Sequence, residues 1–288
     1  MDNVLEIRGL CKAYKGFALK DVSFRLAPGT IMGLVGPNGA GKTTIIKLIL
    51  SMIRRSAGEI RVFGLDALAR ERDVKARIGF VHETPVMVED VPIKSIKAAV
   101  APFYKSWDER RFRELAGEFG LSLAKKFKAL SHGMKMKFQL ALALSHDADL
   151  LLLDEPTSGL DPVFRREILE RLSGVIQDER KAVLFSTHIT SDLETTADTI
   201  TFLHRGEVVF SLPKDEVRET WAVVKGGREL ANDGGRGLFK GLRETPWGVE
   251  ALTADVPAVR RAFPSGIVVD RASIEDIMVF MDQGVSHA

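Results

Sequence analysis

A single cysteine, Cys11, stands among 288 residues, so no disulfide can join two parts of this chain. That suits a reducing compartment. Charge of one sign is also missing: 41 basic residues face 39 acidic ones, a net charge of +2. So even a balance gives no electrostatic argument for an anionic membrane surface or for nucleic acid, and no nucleic-acid partner is expected. Long hydrophobic runs are absent as well. The richest, Leu150–Leu153, lies between Asp149 and Asp154, far short of the ~18–20 residues that cross a bilayer. The opening MDNVLEIRGL is charged from its second residue and lacks the apolar core of a signal peptide. Internal repeats, coiled-coil heptads and low-complexity tracts are not evident. The expectation is a cytoplasmic protein, soluble by itself, with any membrane path in another chain.

What is present is a hydrophobic fraction of 45%, enough for a substantial core. Short aliphatic runs alternate with helical patterns, which predicts an α/β fold with buried parallel strands. Thr30–Gly36 reads as a strand entering a glycine-rich turn, and Thr43–Ser51 as the helix after it. Leu150–Asp154 and Ala182–Thr187 are near-continuous apolar runs, the pattern of strands covered on both faces. A mostly helical stretch, about 92–146, separates them, with Pro92 suited to a helix start. Thr199–Ser211 reads as a hairpin turning at Arg205-Gly206. The character changes near Trp221, and a boundary is placed near 220. Residues 224–248 are glycine-rich, with Gly226, Gly227, Gly234, Gly235, Gly237, Gly241 and Gly248, and show little periodicity. A small αβ unit follows: a helix near Asp255–Phe263, a strand Gly266–Asp270, and a helix opened by Ser273 with Asp276 at capping-box spacing.

Residues Gly36, Pro37, Asn38, Gly39, Ala40, Gly41, Lys42, Thr43 and Thr44 fit G-x-x-x-x-G-K-[ST]. Glycines let the backbone curl so that successive N–H groups converge on phosphate oxygens, and the following helix points its positive end at the same anion. Lys42 adds a charge between the β- and γ-phosphates, while the Thr43 hydroxyl suits Mg²⁺. That motif alone leaves kinase, GTPase and ATPase open. Leu150–Asp154 followed by Glu155 narrows the choice. Asp154 at a strand end can hold a Mg²⁺-bound water, and Glu155 beside it can accept a proton from an attacking water.

At this point the sequence resembles the ATPase subunits of ABC transporters, over roughly residues 3–220. Asp154 to Pro162 resembles their Walker B strand running into the D-loop, with Asp161 in the latter. Leu130-Ser131-His132-Gly133-Met134 is similar to their signature motif, usually LSGGQ, and Ser186-Thr187-His188 to their switch histidine. Tyr14 sits where the family stacks an aromatic ring on adenine. The resemblance implies the P-loop NTPase fold of that family, with an N-terminal antiparallel β portion and a helical subdomain within 1–220. A small α+β accessory domain would occupy 221–288. It further implies a homodimer, or a heterodimer with a related subunit, closing on two ATP molecules. Each would lie between one subunit's P-loop and the other's Ser131 and Gly133. Glu155 would be the general base, and His188 would orient the γ-phosphate and the water. The chain would sit on the cytoplasmic face of the membrane through a separate integral permease.

Three positions, in two motifs, depart from the family. Glu83, in Ile78–Glu83, stands where Gln usually touches Mg²⁺; a carboxylate there adds negative charge beside the phosphates, which works against direct ligation. His132 and Met134 replace a Gly and a Gln of the signature. Phe103, Tyr104, Trp107 and the segment Leu130–Lys137 resemble a bacterial subgroup paired with ABC-2-type permeases, often tied to antibiotic resistance or envelope stress. The three aromatics could equally pack a helix. Other readings stand beside the exporter: a soluble ABC-type ATPase acting as a regulatory or sensing module, a repair or translation ATPase, or a P-loop phosphotransferase. The missing coiled coil and the single P-loop count against the repair and translation types.

Overall fold

The computed structural model describes residues 3–85, 87–232 and 237–283, so Gly234 and Gly235 of the glycine-rich stretch lie outside the described residues. The chain divides into two compact units, Met1–Ser211 and Leu212–Ala288, a division ahead of the boundary read near 220.

In the first unit, β1 (Leu5–Tyr14), β2 (Phe17–Leu26), β4 (Ala57–Val62) and β5 (Leu65–Asp66) form an antiparallel sheet in the order β2-β1-β4-β5. A second sheet carries β3 (Ile31–Val35), β6 (Ile78–Val81), β7 (Leu150–Asp154), β8 (Ala182–Thr187), β9 (Thr199–His204) and β10 (Glu207–Pro213). Its order is β10-β9-β3-β8-β7-β6, and the neighbours from β9 to β6 run parallel. Every residue of β3, β7 and β8 is buried, which is why these strands read as unbroken apolar runs. The helix α1 (Lys42–Ile49) lies at the core of this unit. Its Ile45, Ile46 and Ile49 share one hydrophobic cluster with Leu10, Val22 and Ile60 of the antiparallel sheet and Leu34, Leu152 and Leu184 of the parallel one.

The stretch after β6 is helical, as read: α2 (Ile93–Val100), α3 (Glu109–Glu118) and α4 (His132–Leu144). Pro92 caps the first of them from an extended conformation. Phe112, Phe127 and Phe138 build its centre, with Phe138 meeting the other two rings. Two of the three aromatics between α2 and α3 pack inward. Tyr104 stacks on His146 with centroids 3.7 Å apart, and Trp107 lies against Phe112 while donating to Glu109. Phe103 is 80% exposed. The sheet is completed on either side of β8 by α5 (Pro162–Val175) and α6 (Thr190–Thr196).

The hairpin β9–β10 turns at Arg205 and Gly206, both with positive φ. Gly206 is required there twice over. Its φ is +82°, and a Cβ would stand 1.9 Å from the carbonyl oxygen of Ala18. Its own carbonyl accepts from Lys20 N–H at 2.9 Å, and its N–H donates to Ala40 at 3.2 Å.

The second unit holds α7 (Lys214–Thr220), β11 (Ala222–Gly226), β12 (Gly241–Thr245), β13 (Gly248–Thr253), α8 (Val256–Ala262), β14 (Val268–Arg271) and α9 (Ile274–Gln283). Its sheet is antiparallel, ordered β12-β13-β11-β14. Only β12 lies wholly in the stretch read as aperiodic, and β11 and β13 overlap its two ends. The capping box forms as read: Ser273 Oγ accepts from Asp276 N–H at 3.0 Å, and the Asp276 carboxylate accepts from Ser273 N–H at 2.9 Å.

Two outcomes follow from this packing. Gly206→Ala lowers unfolding stability by more than ~2 kcal/mol, since it adds a backbone clash to the left-handed strain of ~1–2 kcal/mol. Gly64→Ala, also at positive φ but with open space around it, costs only the strain; chemical denaturation of both variants reads the difference. His146 is buried, and burial pushes its pKa down from 6.5 to about 4. Between these values the unfolded chain binds a proton that the folded one does not. Stability therefore falls as pH drops from 6.5 to 4, by up to about 3 kcal/mol. A His146→Gln variant measured over the same range shows a flatter profile.

Candidate functional site

The carboxyl ends of β3, β7 and β8 meet in a cleft of about 690 Å³, within the size range of small-molecule sites. Gly16, Phe17, residues 38–44, Glu83, Glu155, Ser158 and His188 line it. Residues 36–41 carry the chain from β3 into α1. Gly41 caps that helix at φ +112°, where a Cβ would collide with Leu19 Cδ2 at 2.6 Å and Phe17 Cζ at 2.9 Å. Only glycine lets the loop close this tightly over α1, whose free N–H groups and positive end then face the cleft.

Two adjacent carboxylates end β7, and both are buried, Asp154 at 1% exposure and Glu155 at 6%. Buried charge demands compensation. For Asp154 the compensation is hydroxyls: Oδ1 accepts from Ser186 Oγ at 2.7 Å and from Thr43 Oγ1 at 3.1 Å. For Glu155 it is charge and ring: Oε1 lies 3.4 Å from Lys42 Nζ, and Oε2 lies 2.8 Å from His188 Nδ1 and accepts His188 N–H at 3.3 Å. Lys42 also donates to the carbonyls of Gly36 at 2.8 Å and Pro37 at 3.4 Å. Glu155 has φ +49°, unusual for a residue with a Cβ, and its N–H is held by Ser186 Oγ at 3.0 Å. Such strain persists where the surroundings over-determine it.

With Nδ1 of His188 donating to a carboxylate, Nε2 is the ring's remaining polar atom, an acceptor when the ring is neutral. Asp154 Oδ2 is buried with no hydrogen-bond partner among the described residues. An orphaned carboxylate oxygen beside the Thr43 hydroxyl fits a hydrated divalent cation, which supplies the missing donors through its water.

Other side chains named from the sequence lie elsewhere. Tyr14 is 46% exposed with the Lys12 ammonium over its ring, and does not line the cleft; Phe17, its cross-strand partner in the β1–β2 hairpin, does. Ser131, His132, Gly133 and Met134 form the start of α4, outside the cleft lining. Ser131 Oγ accepts from Met134 N–H at 3.3 Å, which leaves its own proton to donate. Asp161 caps α5 by accepting from Val163 and Phe164 N–H groups. Glu83 does reach the cleft, and a residue that pattern reading passed over holds it there. Gln139, buried in α4, accepts from His82 N–H at 3.0 Å and donates to His82 carbonyl at 2.9 Å. A lone amide in an otherwise apolar helix face was its only signal. Ser186 was also passed over, although it stands in the motif that marked His188.

Among the described residues no helix is long and apolar enough to cross a membrane. A family model described as ABC transporter matches residues 19–158. The chain is 33% identical over 199 residues to the ABC transporter ATP-binding protein NatA of Bacillus subtilis (strain 168), covering 67% of this chain and 80% of that protein. It is 29% identical over 223 residues to the bacitracin transport ATP-binding protein BcrA of Bacillus licheniformis, covering 76% of this chain and 72% of that one. Among solved structures, an ATP-binding subunit of an ABC transporter superposes with a TM-score of 0.70 at 31% identity, over 75% of this chain and 92% of that chain. With its P-loop, paired carboxylates and histidine gathered in one cleft, the chain belongs to the ABC transporter family, among the ATP-binding subunits.

Proposed function

We propose that this chain binds and hydrolyses MgATP within a dimer and so energises a separate integral membrane permease. The observation that carries it is the meeting of Lys42, Thr43, Glu155 and His188 in one cleft, with Asp154 bonded to Thr43 from a strand more than a hundred residues away. The loop 36–44 and Lys42 hold the triphosphate. Mg²⁺, when bound, would offset phosphate charge, with the Thr43 hydroxyl and the Asp154 carboxylate as the groups that would hold it. Glu155 accepts a proton from the attacking water as that water's oxygen bonds to the γ-phosphorus and the bond to ADP breaks. His188 Nε2 accepts from the same water and keeps it in line. Glu83 contributes through water rather than by direct ligation.

The start of α4 lies outside the cleft of its own chain, so its Ser131 hydroxyl, Gly133 and helix N-terminus serve the nucleotide of a second copy or a related subunit. Asp161 shapes the turn that follows Glu155, and Tyr14 reaches the adenine from the end of β1. Differential contact with the γ-phosphate then closes the pair with ATP and opens it after hydrolysis. The permease is of the ABC-2 type and the system an exporter. The support is the segment around Phe103, which exposes one large aromatic beside two that anchor it, together with the likeness to BcrA. The C-terminal unit is an accessory to the dimer.

Glu155→Gln reduces phosphate release by about 10²–10⁴-fold and accumulates an ATP-bound dimer in light scattering; undiminished turnover refutes the base role. Chelation of Mg²⁺ halts turnover, and adding it back restores it, while Asp154→Asn weakens the restoration. Lys42→Ala and Ser131→Ala chains, each inactive alone, regain activity when mixed. In the mixed dimer one intact P-loop meets one intact Ser131, and a mixture as inactive as its parts would remove the shared-site arrangement.

A further inference from the structure

The first turn of α4 rests against the turn that follows β7 in the same chain. His132 Nε2 lies 3.1 Å from the carbonyl oxygen of Ser158. A carbonyl only accepts, so Nε2 carries the proton and donates. The neighbours on either side are also close. A Cβ on Gly159 would stand 3.7 Å from His132 Cδ2, and one on Gly133 would stand 3.6 Å from Leu160 Cδ2. The turn itself is tied to the carboxylate pair. Ser158 N–H donates to the Glu155 carbonyl at 3.3 Å, and Leu160 N–H to the Thr157 carbonyl at 3.3 Å. Ser158 also lines the cleft that holds Lys42 and Glu155.

We infer that His132 is a positioning residue that links the start of α4 to Glu155 of the same chain. The inference rests on the dimer reading above and adds to it a route within each subunit. A phosphate that engages Ser131 displaces the first turn of α4. The imidazole carries that displacement to Ser158, and Ser158 is bonded to the backbone of Glu155, which already sits at φ +49°. Occupation of one nucleotide site thereby sets the orientation of the base in the other. Glycine at position 132, the family's usual residue, has no donor that reaches Ser158, so the link is particular to the histidine. The neutral Nε2–H tautomer and the imidazolium both donate, so the contact holds across the physiological range.

The test compares His132→Phe, which keeps a ring and removes the donor, with His132→Gln, whose terminal amide places a donor near Nε2. In the full-length chain, amide hydrogen exchange at Ser158 and Leu160 speeds up about fivefold in His132→Phe, the worth of one neutral hydrogen bond. In His132→Gln most of that change is recovered. In steady-state turnover the phenylalanine variant loses about fivefold in kcat with KM for ATP within about twofold, and glutamine rescues it. Unchanged exchange in His132→Phe, or equal loss in both variants, overturns the inference. Absence of turnover in the unaltered chain would sink the ATPase reading instead, and the exchange measurement would still decide the role of His132.

Discussion

Two carboxylates side by side at the end of a buried strand form an arrangement that water-free surroundings oppose, and most of the site answers that constraint. Asp154 is met by hydroxyls from Thr43 and Ser186, Glu155 by an ammonium and an imidazole. None of these partners is a neighbour in sequence. Thr43 and Lys42 arrive through the loop after β3, and Ser186 and His188 through the end of β8, which lies between β3 and β7 in the sheet. The strand order is what lets one pair of carboxylates gather its compensation from two distant chain segments. Asp154 Oδ2, the one oxygen of the pair without a partner among the described residues, fits a cation and its water.

The parallel strands were readable because a strand covered on both faces must be apolar throughout. The phosphate loop was readable because curled backbone at this radius demands glycine at fixed spacing. Glu155 and His188 stood out as polar residues ending apolar runs. What pattern could not supply was lateral order. Nothing in AVLFST says that β8 lies between β3 and β7, so the Ser186 hydroxyl that holds both Asp154 and the Glu155 N–H was not singled out. Gln139 was hidden for a related reason: its partner is backbone, and backbone carries no sequence signature. Tyr14 drew attention as an aromatic, whereas Phe17 across the hairpin is the ring that borders the cleft. In the second unit, β12 went unread because it lies wholly inside the glycine-rich stretch.

The helix α4 is the element that joins these parts. Its N-terminus presents Ser131 and braces the turn after β7 through His132. Two turns further on, Gln139 fastens the backbone of His82, and with it Glu83. The helical stretch is therefore attached to both borders of the cleft by polar bonds, while its own centre is held by aromatic contacts among Phe112, Phe127 and Phe138. Apolar packing gives the stretch rigidity, and the few polar bonds decide what its movements reach.

The tip of the β9–β10 hairpin has a different reach. Gly206 is bonded on one side to Lys20 in β2 and on the other to Ala40 in the phosphate loop. The curvature of that loop is thus partly set by an antiparallel sheet that carries no reacting group. Evolutionary change on the solvent side of β1 and β2 can retune how firmly an anion is gripped while leaving Lys42, Asp154 and Glu155 as they are. Affinity in this architecture is adjustable through the β1–β2 sheet, and the chemistry is spared the mutations.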